Sequence, residues 1–169
     1  MNWIDFLNDP ELNSDSAQHE PPSGAYLCKK VAHDILECLN TYVECAKLSS
    51  ALQDDLPADN YLWFTNWESP VERWISEIDS LWKHSEQLPD ESLVCPNLIA
   101  QMGEIVAQAR LMQIESQALV MPTNNSAMKI MRIAKRAIDK LNLLRYDIQA
   151  QNYKRLWITL NYGDLVEGS

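Results

Sequence analysis

Four cations, Lys129, Arg132, Arg136 and Lys140, recur every three or four residues and are the most organised set of chemically competent side chains in the sequence. At 100° per residue they share one narrow sector of a helix, displaced from its apolar seam. A row of this kind can track phosphates or meet an acidic protein face, and phosphate contacts give affinity without sequence preference. Lys135 and Asp139 are spaced to pair with each other at the sector's edge, which leaves the row largely unneutralised within its own helix. Two structural roles compete with binding: the solvated face of an amphipathic helix, or contact with an acidic helix over residues 71–88 of the same bundle.

Acid–base and nucleophilic inventory is poor by comparison. His19 falls in a linker, His33 on a first helix and His84 near a helix end; there is no Glu-x-x-His, no His-Glu-x-x-His, no Walker-type loop and no Gly-x-Ser-x-Gly elbow. Pairs such as Asp34 with Glu37 are generic on helices. The run Ala32-His33-Asp34-Ile35-Leu36 resembles the histidine neighbourhood of phosphotransfer bundles, but the Lys-Gly usual after that histidine is replaced by Glu37-Cys38. Cys28, Cys38, Cys45 and Cys95 form no CxxC pair and no zinc-like spacing, and three of them lie on the seam of the first helix, where a thiol packs as a small hydrophobe. No catalytic residue, metal or cofactor is assigned, and reduced thiols with a cytoplasmic location are expected.

Aromatic side chains offer a different chemistry, that of contact surfaces. Trp3, Phe6 and Leu7, with Ile4, form an apolar cluster beside Asp5, Asp9 and Glu11, ahead of a polar stretch ending in Pro21-Pro22-Ser23-Gly24. This reads as an acidic arm that either covers its own core or docks into a partner's groove. Trp63, Phe64, Trp67, Trp74 and Trp82 are dense enough for a base-stacking platform, but Glu68, Glu72, Glu77, Asp79 and Glu86 surround them. Those acids repel phosphate, so core packing or a protein-binding hot spot at Trp63 and Trp67 is the better reading.

The elements that must position these residues follow from periodicity. The chain has 169 residues, 46% hydrophobic, with six Trp and four Gly, enough for a real core and little material for tight hairpins. From Ala25 to about Gln53, Cys28, Val31, Ile35, Cys38, Tyr42, Cys45, Ser49 and Leu52 step by three and four. Asp54–Asn60 reads as a turn, and Ser69-Pro70-Val71-Glu72 as a helix start, with Ser as cap and Pro in the first turn; Trp74, Ile78, Leu81 and Trp82 form its buried face, and it stops near Leu88 before Pro89. A further helix runs from Pro96 to before Pro122 on Leu98, Met102, Ile105, Ala109, Met112, Ser116 and Leu119. The last repeats the pattern at Ile130, Ala134, Ala137, Leu141, Leu144 and Ile148 and runs on through Trp157 to Leu160, with Gly163 ending it.

These elements predict an all-α helical bundle of about four main helices with a long C-terminal antiparallel hairpin. The organisation expected is an acidic arm and linker over 1–24, one helical domain over 25–162 and a tail over 163–169. The amino terminus lacks the basic and apolar regions of a secretory signal, and no apolar run approaches a membrane span, so no membrane partner is expected. Net charge is −10, split into −14 over residues 1–105 and +4 over 106–169. Such polarity speaks to partners rather than fold.

Composition and motifs together point to a non-catalytic interaction protein, a small subunit or adaptor of a larger assembly of protein or nucleoprotein. Its basic row would face nucleic acid or an acidic partner, and small-molecule ligands are not expected. Small helical subunits of CRISPR effector complexes share this general architecture without sequence resemblance. The alternative is an acidic inhibitor whose −14 portion mimics nucleic acid, as phage anti-defence proteins do; a phosphotransfer-like bundle is third.

Overall fold

In the computed structural model the described residues are 24–89 and 94–161, all helix and short turn with no strand among them. The chain folds into α1 (Ala25–Ala51), α2 (Ala58–Glu86), α3 (Cys95–Ile105), α4 (Ala109–Gln117), α5 (Asn125–Gln149) and α6 (Tyr153–Leu160), with a 3₁₀ turn at Gln53–Asp55. The fold class is all-α, as periodicity predicts. Trp3, Phe6 and Leu7, the arm and linker up to residue 23, and Gly163 with the tail lie outside the described residues.

Helix α1 is the central element, packing along both α2 and α5. Its whole predicted seam from Cys28 to Ser49 is buried, with Leu52 half-buried. Tyr42 fixes the α1–α2 register: its hydroxyl donates to the Trp63 carbonyl at 2.8 Å and its ring meets the indole edge-on at 5.0 Å. Further along, Cys28 lies beside Ser85, so the two helices run antiparallel.

Sequence and structure part company at Pro70. Helix α2 does not begin at Ser69; it begins at Ala58 and carries Pro70 in its interior. A single buried seam, Asn60, Trp63, Phe64, Trp67, Val71, Trp74 and Ile78, runs straight through the proline. Pro70 removes the hydrogen bond to the carbonyl of Asn66, but Asn66 is exposed, so water can serve that oxygen. Burial of three consecutive turns of aromatic surface outweighs the lost bond. Of the other expected buried residues, Leu81 and Trp82 are half-buried.

The hairpin's first arm is two helices rather than one. Helix α3 ends at Ile105, and the turn over Val106–Gln108 closes with Ala107 N–H on Glu104 O and Ala109 N–H on Val106 O. That turn places Val106 in the core and leaves Ile105 half-buried. Gly103 lies opposite Ile148 near one end of α5, and Gln113 bonds Asp139 further back, so the α3–α4 arm runs antiparallel to α5. Here the glycine is required by proximity: a Cβ on residue 103 would lie 2.6 Å from Ile148 Cγ2.

The last helix does not continue to Leu160 unbroken. Gln151 adopts φ 55°, and Asn152 caps α6 by accepting a hydrogen bond from Arg155 N at 3.1 Å. Thr159 on α6 then donates to the buried Asp147 carboxylate at 3.0 Å, which ties α6 back onto α5.

Candidate functional site

The cationic row is split by the way α1 crosses it. Lys140 is buried on the α1 side of α5, where its Nζ donates to Asp34 Oδ2 at 3.2 Å. It is therefore a core ion pair and not a partner-binding cation, and its neighbour is α1 rather than the acidic helix α2. Arg136, one turn earlier, is half-buried. Arg132 is exposed, its guanidinium donating to Met128 Sδ at 3.4 Å, and Lys129 is exposed at the amino-terminal end of α5. This end of the row is the part most exposed to the surroundings.

Asp34 gathers more than one cation. Lys30 lies 3.6 Å from Oδ1, and His33 Nδ1 lies 3.3 Å from the same oxygen. With Glu37, these side chains bring three potential ligand atoms within 4.8 Å of one another. Both carboxylate oxygens of Asp34 already face lysine ammonium groups, however, so its charge is met by cations built into the fold. His33 and His84 are exposed, and His19 lies outside the described residues.

Trp63 and Trp67 do not form a partner-facing surface. Both are buried: Trp63 Nε1 donates to the Met112 carbonyl at 3.1 Å, and Trp67 Nε1 donates to the Glu115 carboxylate at 3.2 and 3.3 Å. The two indoles thereby fasten α2 to α4, supplying shape and a polar partner in one side chain. Among the acids around them, Glu72 and Glu77 are exposed, Glu68 is half-buried, and Asp79 pairs with Lys83 at 3.0 Å.

Concave surface lies elsewhere, between the carboxyl-terminal half of α1 and the amino-terminal end of α5. A groove of about 630 Å³ opens there, walled by Cys45, Leu48, Leu52, Ile130 and Ile133, with Lys129 at its edge. Leu48 is 54% exposed although it sits beside buried neighbours, and Ile130 forms a buried floor. A smaller depression of about 340 Å³ continues along α1 past Glu37 and His33, sharing Thr41 and Glu44 with the groove. Both helices contribute: the lining residues lie on α1 beyond Asp34 towards its carboxyl end and on α5 ahead of Lys140.

The cationic row read from sequence brings Lys129 to the groove with Arg132 one turn on, whereas Leu48 and Ile133, displaced from the seams used to define the helices, were not singled out. A leucine off the seam between Lys47 and Ser49-Ser50 was the available signal. A second set of exposed apolar side chains is formed by Leu111 and Ile114 on α4 with Val120 and Met121 beyond it.

In comparison with known proteins, no family model, curated protein or solved structure matches this chain. None of its described helices is long and apolar enough to cross a membrane.

Proposed function

We propose that this chain is a non-catalytic interaction protein, a small helical subunit or adaptor, that receives an apolar, acidic helical segment of a partner protein in the α1–α5 groove. The observation that carries the reading is the groove itself: a mainly apolar trough of about 630 Å³ with an exposed leucine on one wall, Lys129 on its α5 side and Glu44 on its α1 side. An amphipathic helix laid into such a trough buries its apolar stripe on Leu48, Ile130 and Ile133, and carboxylates on its rim meet Lys129 and Arg132. Desolvated apolar contacts supply the affinity, while the exposed cations favour partners of the right charge and speed their encounter.

An acidic protein segment is favoured over nucleic acid because the row of cations is interrupted. Lys140 is consumed by Asp34, and the walls next to Lys129 are aliphatic where a phosphate track would be cationic. The test is isolation of the assembly from its source cells through tagged wild-type chain, Leu48→Glu and the Lys129→Glu/Arg132→Glu pair, each with and without nuclease treatment. A protein partner that survives nuclease, falls roughly 30-fold with Leu48→Glu by the arithmetic of a ~2 kcal/mol hot spot, and cross-links to Lys129 supports the reading. Loss of all partners on nuclease treatment, or equal recovery by all three chains, refutes it.

A further inference from the structure

Four thiols are buried in the described structure, and two of them meet. Cys28 lies in the first turn of α1 and Cys95 is the first residue of α3, 67 positions later in the chain. The Gly24 carbonyl joins them: it accepts the backbone N–H of Cys28 at 3.4 Å and the thiol of Cys95 at 2.7 Å. Their side chains are near enough for each to shift the other's ionisation. Neither thiol has such a relation to Cys38 or Cys45. These lie ten and seventeen residues beyond Cys28 on the same straight helix, about 15 and 26 Å away at 1.5 Å per residue, against a disulfide reach of about 7 Å between Cα atoms.

Independently of the groove, we infer that Cys28 and Cys95 are a dithiol site that closes to a disulfide between α1 and α3 when the chain meets a small-molecule disulfide such as oxidised glutathione. The two cysteines have different parts. Cys95 sits at the amino terminus of an eleven-residue helix, where the helix dipole favours a thiolate. The adjacent Cys28 thiol acts in the same direction, holding the Cys95 thiol below the ordinary thiol range against its own burial and the Gly24 carbonyl that accepts its hydrogen bond. Cys95 and burial push Cys28 above that range. Cys95 is thus the attacking thiol and Cys28 the resolving one. At 1% and 0% exposure both are closed to glutathione in the packed bundle, so the exchange proceeds when the first turns of α1 and α3 open locally.

The exchange balances without any further reactant. The Cys95 thiolate attacks one sulfur of oxidised glutathione, the glutathione S–S bond breaks, and the expelled glutathione thiolate takes up the proton that Cys95 released. Cys28 then loses its proton, and its sulfur attacks the Cys95 sulfur of the mixed disulfide. The second glutathione leaves as a thiolate and is protonated. Two protein thiols have been oxidised to one disulfide, and one glutathione disulfide has been reduced to two thiols. The product staples the ends of two helices that are distant in sequence, a long loop whose closure restricts the unfolded chain.

The experiment uses the full chain equilibrated in a series of oxidised-to-reduced glutathione ratios under native conditions, quenched in acid, then unfolded in denaturant, alkylated and mapped by mass spectrometry. The expected result is loss of two hydrogens and a reducible peptide linking Cys28 to Cys95, with Cys38 and Cys45 alkylated as internal controls. Cys28→Ser should instead retain a glutathione on Cys95, and the oxidised wild type should melt higher than the reduced form while Cys28→Ser shows no such rise. The inference is overturned if Cys28 and Cys95 are alkylated as fully as Cys38 and Cys45 at every ratio. A stable glutathione adduct on wild-type Cys95, or a link through Cys38 or Cys45, overturns it equally.

Discussion

Replacing Lys140 by Met removes one charge from the bundle interior while keeping the length and apolar bulk of the side chain. The lysine and Asp34 side chains are 9% and 4% exposed, and the ammonium lies 3.2 Å from Oδ2. Breaking a buried ion pair from one side costs about 3–5 kcal/mol because the remaining charge is stranded out of water. Here Lys30 stays 3.6 Å from the other carboxylate oxygen, and it is 35% exposed, so it compensates only in part. The expected loss is therefore about 2–3 kcal/mol, or roughly 4–12 °C in Tm for a chain of this length. Removing both charges in Asp34→Leu/Lys140→Met should recover most of that loss, since no charge is left unpaired. Urea unfolding followed by tryptophan fluorescence and far-ultraviolet circular dichroism reads all three differences. A solvated lysine on an open cationic stripe would change stability by less than about 0.5 kcal/mol. Such a result for Lys140→Met, or a double variant less stable than the single, would refute the assignment of Lys140 to the core.

Three other perturbations address different parts of the fold. Gly103→Ala should destabilise by about 1–2 kcal/mol despite its gain in helix propensity, because the new Cβ meets the stiff Ile148 side chain at 2.6 Å; in an Ile148→Ala background the same change should cost nothing, and additive costs in thermal melts would contradict the contact. Pro70→Ala restores a backbone donor inside α2 and should raise stability by about 1–3 kcal/mol in chemical denaturation, whereas a loss would show that the proline's ring packing matters more than the missing bond. Burial pushes Cys38 and Cys45 each up to about 12, so both folded thiols hold their protons at pH values where unfolded thiols, near 9, have released theirs. Stability should be insensitive to these groups below about pH 9 and fall between 9 and 12, by up to about 1.4 kcal/mol per pH unit for each thiol. A pH series of denaturation midpoints checks this, with Cys38→Ala/Cys45→Ala flattening the fall.

Apolar spacing was sufficient for α1 and α5, whose seams at Val31, Ile35 and Tyr42 and at Ala134, Leu141 and Leu144 are buried as their periods require. Where local chemistry competed with periodicity, periodicity prevailed. Ser69-Pro70-Val71-Glu72 has the residues of a helix start, but Trp63, Phe64 and Trp67 lie in phase with Val71 and Trp74, and that shared seam was the better guide. The turns at Val106–Gln108 and Gln151 carry neither proline nor glycine, so they were not visible in advance; tertiary packing of Val106 and the Asn152 cap sets them. As for the site, a helical wheel assigns Lys129 and Lys140 to one sector but says nothing of how long another helix stays in contact. Asp34, 106 positions away, meets Lys140. Beyond that contact α1 and α5 leave the groove, and its end of the row is the part that stays exposed.

Hydrogen–deuterium exchange on the chain with and without its isolated partner tests the central claim most directly. Partner binding in the groove predicts slowed exchange over residues 41–52 of α1 and the 3₁₀ entry, and over 126–133 of α5, the segments that wall it. Protection confined to α2, or to the Leu111 and Ile114 face of α4, with both groove walls unchanged, would contradict it.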